Sequence, residues 1–404
     1  MTNLELLAPA GDINKLKTAL YFGADAVYIG GKAFSLRALA GNFSDTEIEE
    51  AVSLCHAKNK KVYVTANIFA RNDDIKKAET YFKFLEKSKI DGAIISDPGL
   101  IYLAKDVAPS LNINLSTQAN TLNYKTAEFW YKQGVKRVIL ARELSKKEIQ
   151  EIHEAVPNLE LEAFIHGAMC ISYSGRCLLS DYRTGRSSNR GECVQACRWN
   201  YEIREKGSSG AYLEMQEDDR GTYILNSKDL CLVDYIDDLS KIGVCSFKIE
   251  GRMKSEYYLA TVINAYRRAI DAYYVDGIDY KNNIIYKREL EKTAHREFTT
   301  AYFNGENDRT ENFDDSQSKG THKFIASVID YSEGYALVEM RNRFKTGDRL
   351  EVLSPSSSFN KEILVTEMFD EKGEKVEDAK LVQQKLRIKT DIPLSAGDIL
   401  RKEQ

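Results

Sequence analysis

Residues 1–275 repeat one pattern, in which a short apolar run is followed by a polar turn and then by apolar positions at helical spacing. Apolar runs of this length suit buried strands, and spacing near 3.6 residues suits amphipathic helices. The predicted strands are 4–8, 26–30, 61–66, 92–96, 111–115, 136–141, 160–166 and 244–250. Eight strands alternating with helices predict an α/β fold, a TIM-type (β/α)8 barrel. A doubly wound sheet is the alternative, but no Gly-rich dinucleotide fingerprint follows the first strand.

The helical segments carry recognisable start signals. Ser44 and Glu47 have the spacing of a capping box, and Ser145 and Glu148 repeat it before another helical segment. Asp12 precedes the first helical segment as an N-cap residue. These signals support the alternation of strands and helices.

The pattern changes after residue 320. Short alternating runs at 324–329, 335–340, 348–352, 363–366 and 386–389 lie between Gly- and Ser-containing turns. Such runs predict a small all-β domain, a compact barrel. The predicted organisation is therefore a barrel domain at 1–304, a linker at 305–320 and a β-domain at 321–404.

The composition is that of an ordinary globular protein, with 43% hydrophobic and 29% charged residues in 404. A net charge of −4 argues against a generally basic nucleic-acid coat. No run of 18 apolar residues and no basic, apolar leader is present, so neither a membrane span nor a secretory signal is expected, and we expect a cytoplasmic location. Cysteine clusters in that compartment indicate metal binding or catalysis rather than disulfides.

Polar side chains occur near the carboxyl ends of several predicted strands, where barrel enzymes place their active sites. Strand alternation directs Lys248 and Glu250 into the barrel mouth, together with Ser246. The same reasoning selects Thr65, Asn67, Asn114, Ser116, Gln118, Glu162 and His166. A hydrogen-bonded polar core layer is the alternative interpretation, but for Lys248 with Glu250 a functional role is favoured.

The barrel period breaks between predicted strands 7 and 8, and the insertion at 167–231 holds five of the seven cysteines. Structural zinc usually requires paired Cys-x2–4-Cys knuckles, and only Cys193 and Cys197 have that spacing. An iron–sulfur site accepts more dispersed ligands. Cys231 is predicted in the first turn of a helix capped by Ser227, where the helix dipole favours a thiolate. The five are Cys170, Cys177, Cys193, Cys197 and Cys231.

The insertion also has a local excess of positive charge. Its arginines are Arg176, Arg183, Arg186, Arg190 and Arg198, against Asp181 and Glu192. These arginines suit phosphate contacts, and Tyr173, Tyr182 and Trp199 suit stacking on bases. A solvated loop explains them nearly as well when they are taken alone. Beside a candidate redox centre they make nucleic acid the leading substrate class.

Several motifs together resemble the collagenase-like peptidases of unknown catalytic type (peptidase family U). The cysteine segments lie at 170–180, 189–193 and 197–199, with His-Gly-Ala-Met-Cys at 166–170. Other matching blocks are Leu-Leu-Ala-Pro-Ala-Gly at 6–11, Phe-Ser-Leu-Arg at 34–37 and Phe-Lys-Ile-Glu-Gly-Arg at 247–252. The resemblance covers essentially the whole chain.

This resemblance implies RNA hydroxylation rather than proteolysis. One branch of the family forms 5-hydroxyuridine at the tRNA wobble position and requires prephenate, and the chain length with a single β-domain is most similar to that branch. The family pattern implies a [4Fe–4S] cluster on Cys170, Cys177, Cys193 and Cys231, with Cys197 as an alternative ligand. It also implies an electron donor and a paralogous partner subunit.

Candidate roles follow for individual residues. Arg37, Lys248 and Arg252 suit anionic groups, either phosphate or the carboxylates of a prephenate-like co-substrate. His166 and Glu250 are the proton-transfer candidates, with His166 favoured because the usual histidine pKa lies near neutrality. The predicted substrate-binding residues are Arg37, Asn67, Gln118, Arg176, Arg190 and Arg252, and the predicted catalytic residues are His166, Lys248 and Glu250.

Two other functions remain open. A peptidase requires a nucleophile or a metal site, yet neither Gly-x-Ser-x-Gly nor His-Glu-x-x-His occurs, which leaves a Cys–His dyad with His166. The other function is that of a non-catalytic partner subunit of a modification complex, with the β-domain as a docking module.

Overall fold

A computed structural model describes most of the chain and shows a barrel domain followed by an all-β domain. The described residues are 4–35, 41–170, 172, 176–199, 217–218, 221–222, 227–305 and 318–404. The eight barrel strands are β1 (Glu5–Pro9), β2 (Ala26–Gly30), β3 (Lys61–Ala66), β4 (Gly92–Ile95), β5 (Ile113–Leu115), β6 (Arg137–Ile139), β7 (Glu160–Ala168) and β11 (Val244–Ile249).

These eight strands form a closed parallel barrel. Each of β1 to β6 pairs in parallel with the next strand, and β11 pairs in parallel with both β7 and β1. The strand count and the alternation of strands with helices agree with the fold predicted from the apolar runs, so the TIM-type barrel is confirmed. As in other barrels of this type, the carboxyl ends of all eight strands meet at one face.

In the described part of the chain, eight helices surround the barrel and two short helices lie elsewhere. The surrounding helices are α1 (Ile13–Tyr21), α2 (Asp45–His56), α3 (Asn72–Lys87), α4 (Pro98–Val107), α5 (Tyr124–Lys132), α6 (Lys146–Ala155), α8 (Ile236–Lys241) and α9 (Glu256–Asp276). The short ones are α7 (Leu179–Thr184) and α10 (Ile285–Leu290). Both predicted capping boxes are present, at Ser44 with Glu47 and at Ser145 with Glu148. Among the helices of the described residues, none has the length and apolar character needed to cross a membrane.

Short elements connect the insertion to the barrel. Strand β10 (Asp229–Cys231) pairs antiparallel with the end of β7, and β12 (Phe298–Thr299) pairs with β10. Strands β8 (Glu217–Asp218) and β9 (Gly221–Thr222) pair with each other. Short 3-10 helices lie at Thr117–Ala119, Ser188–Arg190, Ala196–Arg198, Val233–Tyr235 and Gly277–Asn282.

The C-terminal residues form an all-β unit, as predicted. Its strands are β13 (His322–Ser332), β14 (Tyr335–Met340), β15 (Phe344–Lys345), β16 (Arg349–Leu353), β17 (Glu362–Leu364), β18 (Met368–Phe369), β19 (Asp378–Ala379), β20 (Lys385–Lys389) and β21 (Ile399–Glu403). Seven of them form one antiparallel sheet in the order β17-β16-β21-β13-β14-β20-β18, and β15 pairs with β19. No strand pairing joins β17 to β18 within residues 318–404, and the compact barrel expected for this domain stays a prediction.

A buried ion-pair cluster joins the two domains. Arg401 of β21 is fully buried and donates from Nη2 to Glu289 Oε2 at 2.8 Å and from Nε to Glu351 Oε1 at 2.7 Å. Lys292 Nζ lies 2.7 Å from the same Glu351 oxygen. Each buried charge in this cluster has an oppositely charged partner, and removing one partner would leave the other buried and unpaired. The cluster therefore fixes the β-domain against α10.

Candidate active site

A cavity of about 240 Å3 opens at the carboxyl ends of the barrel strands, between the strand ends and the insertion. Its lining combines polar strand-end side chains with cysteines of the insertion. The predicted site residues that line it are Asn67, Gln118, Cys170, Cys177, Cys193, Cys197, Lys248, Glu250 and Arg252. The fold therefore brings most of the predicted site residues together around one cavity.

Lys248 occupies the floor of the cavity. Alternation along β11 directs Ser246 and Lys248 inward while Phe247 and Ile249 pack in the hydrophobic core. The Lys248 side chain is 4% exposed, and its Nζ donates to Glu162 Oε1 at 2.6 Å. The same ammonium group lies 4.3 Å from the centre of the Tyr28 ring. A buried lysine held in this way presents a fixed positive charge to the cavity.

Arg252 and Arg142 add two further cations to the lining. Arg252 Nη1 donates to the Ser35 hydroxyl at 2.8 Å and lies 3.4 Å from Thr65 Oγ1. Arg142 donates to the Ala168 carbonyl at 2.6 Å, and its guanidinium lies over the Phe164 ring at 3.9 Å. Guanidinium groups present planar pairs of donors, which suit carboxylates and phosphates.

Glu250 and the neutral side chains complete the cavity. Glu250 follows β11, and its Oε2 lies 3.8 Å from Arg142 Nη2. Asn67 Nδ2 donates to Ser116 Oγ at 3.4 Å, whereas Asn67 Oδ1 is buried without a hydrogen-bond partner. Gln118 is buried beside Ser116. A buried amide oxygen without a partner is costly, so a donor group of a ligand would stabilise Asn67.

Four cysteines of the insertion line the same cavity. Cys170 is exposed, and Cys177, Cys193 and Cys197 are partly exposed. Cys193 Sγ accepts hydrogen bonds from the Gln195 backbone N–H at 3.4 Å and from the Ser180 hydroxyl at 3.8 Å. Within the described ranges, no three His, Cys, Asp or Glu side chains converge closely enough to hold one metal ion. A [4Fe–4S] cluster takes its four thiolates on separate irons, so cysteines around a common space fit its donor chemistry.

Cys231 does not line this cavity. It lies in strand β10 rather than in the first turn of a helix, opposite His166 of β7. Its Sγ is buried 3.8 Å from the Tyr266 hydroxyl, and burial raises the pKa of the Cys231 thiol to about 11. The prediction that a helix dipole favours its thiolate is therefore wrong, because the backbone there is extended.

His166 also lies outside the cavity. Its ring packs against Tyr258, Tyr266 and Phe298, with Nδ1 3.4 Å from the Tyr266 hydroxyl. Burial lowers the pKa of His166 to about 3, so the expectation of a pKa near neutrality is wrong. His166 lies outside the cavity because the pairing of β7 with β11 shifts in register: Lys248 pairs with Phe164, but Ile249 pairs with His166. The extra residue on β7 turns His166 away from the barrel interior.

The remaining predicted arginines are dispersed. Arg176 is exposed and donates from Nε to Asn120 Oδ1 at 2.8 Å. Arg190 donates to the Phe69 carbonyl at 2.7 Å and forms an ion pair with Asp74 at 3.1 Å, away from the central cavity. Arg37 lies outside the described residues, as do Tyr173 and the side chain of Arg198.

The exposed part of the insertion keeps the character expected for contact with nucleic acid. Arg176, Arg183 and Arg186 are exposed, Tyr182 is 87% exposed and Trp199 is 40% exposed. Exposed aromatic rings beside arginines suit base stacking and phosphate contact. These side chains are on the same segment as the cavity cysteines, so a polynucleotide bound there would lie near the cavity.

Several residues of the cavity lining were not predicted from the sequence, among them the charged Arg142 and Glu143. Arg142 follows the sixth strand by only a few residues, which is the position from which barrel enzymes take active-site groups. Its place directly after an apolar run was the available signal.

A sequence model of peptidase family U32 matches residues 11–312, and one of the C-terminal domain of that family matches residues 320–401. The chain belongs to peptidase family U32. The resemblance seen in the sequence motifs is thereby confirmed.

Members of family U32 that resemble this chain have different names. The chain is 41% identical to tRNA hydroxylation protein P1 of Bacillus subtilis, over 98% of this chain and 94% of that protein. It is 33% identical to the 23S rRNA 5-hydroxycytidine C2501 synthase of Escherichia coli, over 87% of this chain and 52% of that protein. It is 32% identical to a collagenase of Porphyromonas gingivalis, over 76% and 75%.

Proposed function

We propose that this protein hydroxylates RNA, with tRNA as its substrate, and forms 5-hydroxyuridine at the wobble position. We also propose that a [4Fe–4S] cluster and prephenate take part, with an electron donor. Two of the relatives described above are named for tRNA hydroxylation and for hydroxycytidine synthesis in rRNA, and the first spans almost the whole chain. These names support an activity on RNA bases.

One observation carries the proposal: four cysteines and three cations surround a single cavity at the catalytic face of the barrel. The cations, Lys248, Arg142 and Arg252, suit a phosphate or the two carboxylates of prephenate. The amides of Asn67 and Gln118 offer both donors and acceptors, which match the edge of a uracil base. The exposed arginines and aromatic rings of the insertion would hold the RNA outside.

The residues of the chain have separate roles in this scheme. Lys248 binds and orients an anionic group at the floor, and Arg142 and Arg252 hold anionic groups at the sides. Glu250 is the cavity carboxylate placed to accept a proton from a bound substrate.

Cys170, Cys177 and Cys193 would hold the cluster, with Cys197 as the fourth ligand by its place in the cavity. When bound, the cluster supplies either electron transfer or a coordination position for a substrate oxygen. Cys231 is the competing fourth ligand because it belongs to the set that the family resemblance implies. We test the two by iron and acid-labile sulfide analysis of anaerobically purified Cys197→Ala and Cys231→Ala proteins.

We expect about four irons per chain in the wild-type protein. Loss of iron in Cys197→Ala but not in Cys231→Ala would support the cavity set, and the opposite result would assign Cys231. Cys55→Ala is the matched control because Cys55 is buried in the core, far in the chain from the insertion. Full iron in Cys170→Ala and Cys177→Ala would contradict a cluster at this cavity.

Collagenase activity is the second candidate, favoured by the named relative from Porphyromonas gingivalis. A Cys–His dyad would require a histidine in the cavity. All five histidines lie within the described residues, and none is among the lining residues. Gelatin cleavage by iron-loaded protein that is lost in His166→Gln would nevertheless establish this activity.

A further inference from the structure

A second cavity, of about 470 Å3, lies beside the central one and has no role in the function proposed above. We call it the α3 groove and define it by the lining residues Lys32, Phe34, Lys77, Tyr81, Phe84 and Arg190. Positions 77, 81 and 84 share one face of α3 because they are spaced by four and three residues. The groove therefore lies along one helix face.

Three aromatic rings form a near-parallel stack in this groove. The centres of Phe34 and Tyr81 are 5.3 Å apart with planes inclined by 27°, and those of Tyr81 and Phe84 are 6.3 Å apart at 28°. Phe34 and Tyr81 are buried, whereas Phe84 is partly exposed and ends the stack. A planar ring, such as a nucleobase, can extend such a stack at its exposed end.

Phe34 adopts an unusual backbone conformation. Its φ is 60°, in the left-handed region that bulky residues avoid. Conformations of this kind persist where the surroundings hold them, and they are frequent at ligand sites. Here the conformation accompanies the stacking of Phe34 on Tyr81.

The groove also carries exposed cationic side chains. Lys32 and Lys77 are exposed, and they interact electrostatically with Glu47 and Asp74 respectively, with no direct ion pair in the described part of the chain. Arg190 is paired with Asp74, which also lines the groove together with Asp45. An aromatic stack beside two exposed ammonium groups matches a nucleotide, with a base for the rings and a phosphate for the lysines.

The α3 groove and the central cavity share a wall. Ser35 lines the groove, accepts a hydrogen bond from Arg252 at 2.8 Å and lies 3.1 Å from Thr65. Arg252 and Thr65 both line the central cavity. On the other side, Asn189 lines the cavity and its neighbour Arg190 lines the groove. A strand of RNA with one base in the cavity would pass its neighbouring nucleotide over this wall.

We propose that the α3 groove binds a nucleotide that flanks the modified one, with its base stacked on Phe84 and phosphates on Lys32 and Lys77. Sequence-specific RNA recognition commonly uses single-stranded loops whose bases stack on aromatic side chains. This inference rests on the proposed function, because it requires a single-stranded RNA segment at the central cavity.

The test measures the salt dependence of binding of an anticodon stem–loop RNA to the full chain by fluorescence anisotropy. In Lys32→Ala/Lys77→Ala, the slope of log K against log salt should become shallower by about 1.4, since each single-strand phosphate contact contributes roughly 0.7. The matched control, Lys76→Ala/Lys87→Ala, removes two exposed charges of α3 outside the groove and should keep the wild-type slope. Phe84→Leu, which keeps an apolar side chain, should weaken binding about fivefold or more.

Three outcomes are distinguishable. A shallower slope in the groove variant alone, with weaker binding by Phe84→Leu, supports the groove. Equal slopes in both double variants, with normal hydroxylation of tRNA by the wild-type protein, overturn the groove and leave the proposed function intact. Absence of RNA binding and of hydroxylation by the wild-type protein overturns both.

Discussion

The two ends of the barrel both contain buried charged side chains, but these side chains have different partners at each end. At the base, Arg137 Nη1 contacts Glu5 and lies 3.2 Å from Glu162 Oε2, and its Nη2 lies 2.7 Å from Glu160 Oε2. Glu5 also accepts hydrogen bonds from Ser246 at 2.8 Å and Tyr63 at 2.9 Å. Every charge at the base therefore has an opposite charge in contact.

At the mouth, positive charge faces an open cavity. Glu250 Oε2 lies 3.8 Å from Arg142 Nη2, and Arg252 donates hydrogen bonds to the neutral side chains of Ser35, Thr65 and Asn42. Lys248 links the two ends, because Glu162 of the base network holds it at the cavity floor. The difference indicates that the base serves stability and the mouth serves the binding of anions.

The largest expected effect comes from Lys248→Met, which removes the charge that joins the two ends. We expect hydroxylation kcat/KM to fall by about 100-fold or more, as when one preorganised charged donor is removed from an active site. The double variant Lys248→Met/Glu162→Gln removes both buried charges, and should recover stability without recovering activity. Recovery of activity in the double variant would contradict a direct role for Lys248.

Arg137→Met should separate stability from activity at the base. It leaves Glu5 with only Lys61 and Glu162 with only Lys248 as cationic partners, so the free energy of unfolding in urea should fall by about 3 kcal/mol. The folded fraction should keep most of its hydroxylation activity. If activity were lost while stability was unchanged, the base would belong to the active site.

Arg142→Met should show the opposite behaviour at the mouth. The KM for the anionic substrate or co-substrate should rise about tenfold or more, because a charge-assisted hydrogen bond contributes about 1.5–3 kcal/mol. The free energy of unfolding should fall by less than at the base, by about 1.5 kcal/mol, since the variant loses the hydrogen bond to the Ala168 carbonyl but no close ion pair. Arg142→Lys is the control that keeps the charge but not the planar donor pair. An unchanged KM in Arg142→Met would show that this residue is not part of the binding site.

The smallest expected effect is on the pH dependence of stability at the base. Burial alone would raise the pKa of Glu5, but Arg137, Lys61 and Ser246 outweigh it, so the pKa lies below the usual 4.5. A depressed pKa contributes stability above about pH 4.5 that is lost as the pH falls through the folded-state value. Glu5→Gln should therefore show a flatter decline in unfolding free energy from about pH 5 to about pH 3. A decline as steep as that of the wild-type protein would contradict the role of this ion pair.

The fold was largely predictable because apolar runs and helix caps are local signals. Each predicted barrel strand overlaps an observed one, and the two capping boxes form as their spacing indicated. Alternation along β11 also correctly directed Lys248 towards the cavity. The sequence indicated the all-β character of the C-terminal residues but not the order of the strands, since strand pairing joins residues that are distant in the chain.

The errors at the site arise from non-local pairing. His166 has the same parity as Glu162 in sequence, but the register shift against β11 reverses its direction. Cys231 looked helical from its neighbours, yet pairing with the extended end of β7 makes it a strand residue. Neither pairing leaves a periodic signal in the sequence.

The most direct test of the central claim is mass analysis of tRNA nucleosides from a bacterial strain that lacks 5-hydroxyuridine. The strain would express either the wild-type chain or Cys177→Ala, with equal protein amounts confirmed by immunoblotting. We predict that the wild-type chain forms 5-hydroxyuridine at the wobble position and that Cys177→Ala does not. No hydroxylated nucleoside with the wild-type chain, or full hydroxylation with Cys177→Ala, would contradict hydroxylation at the cysteine-lined cavity.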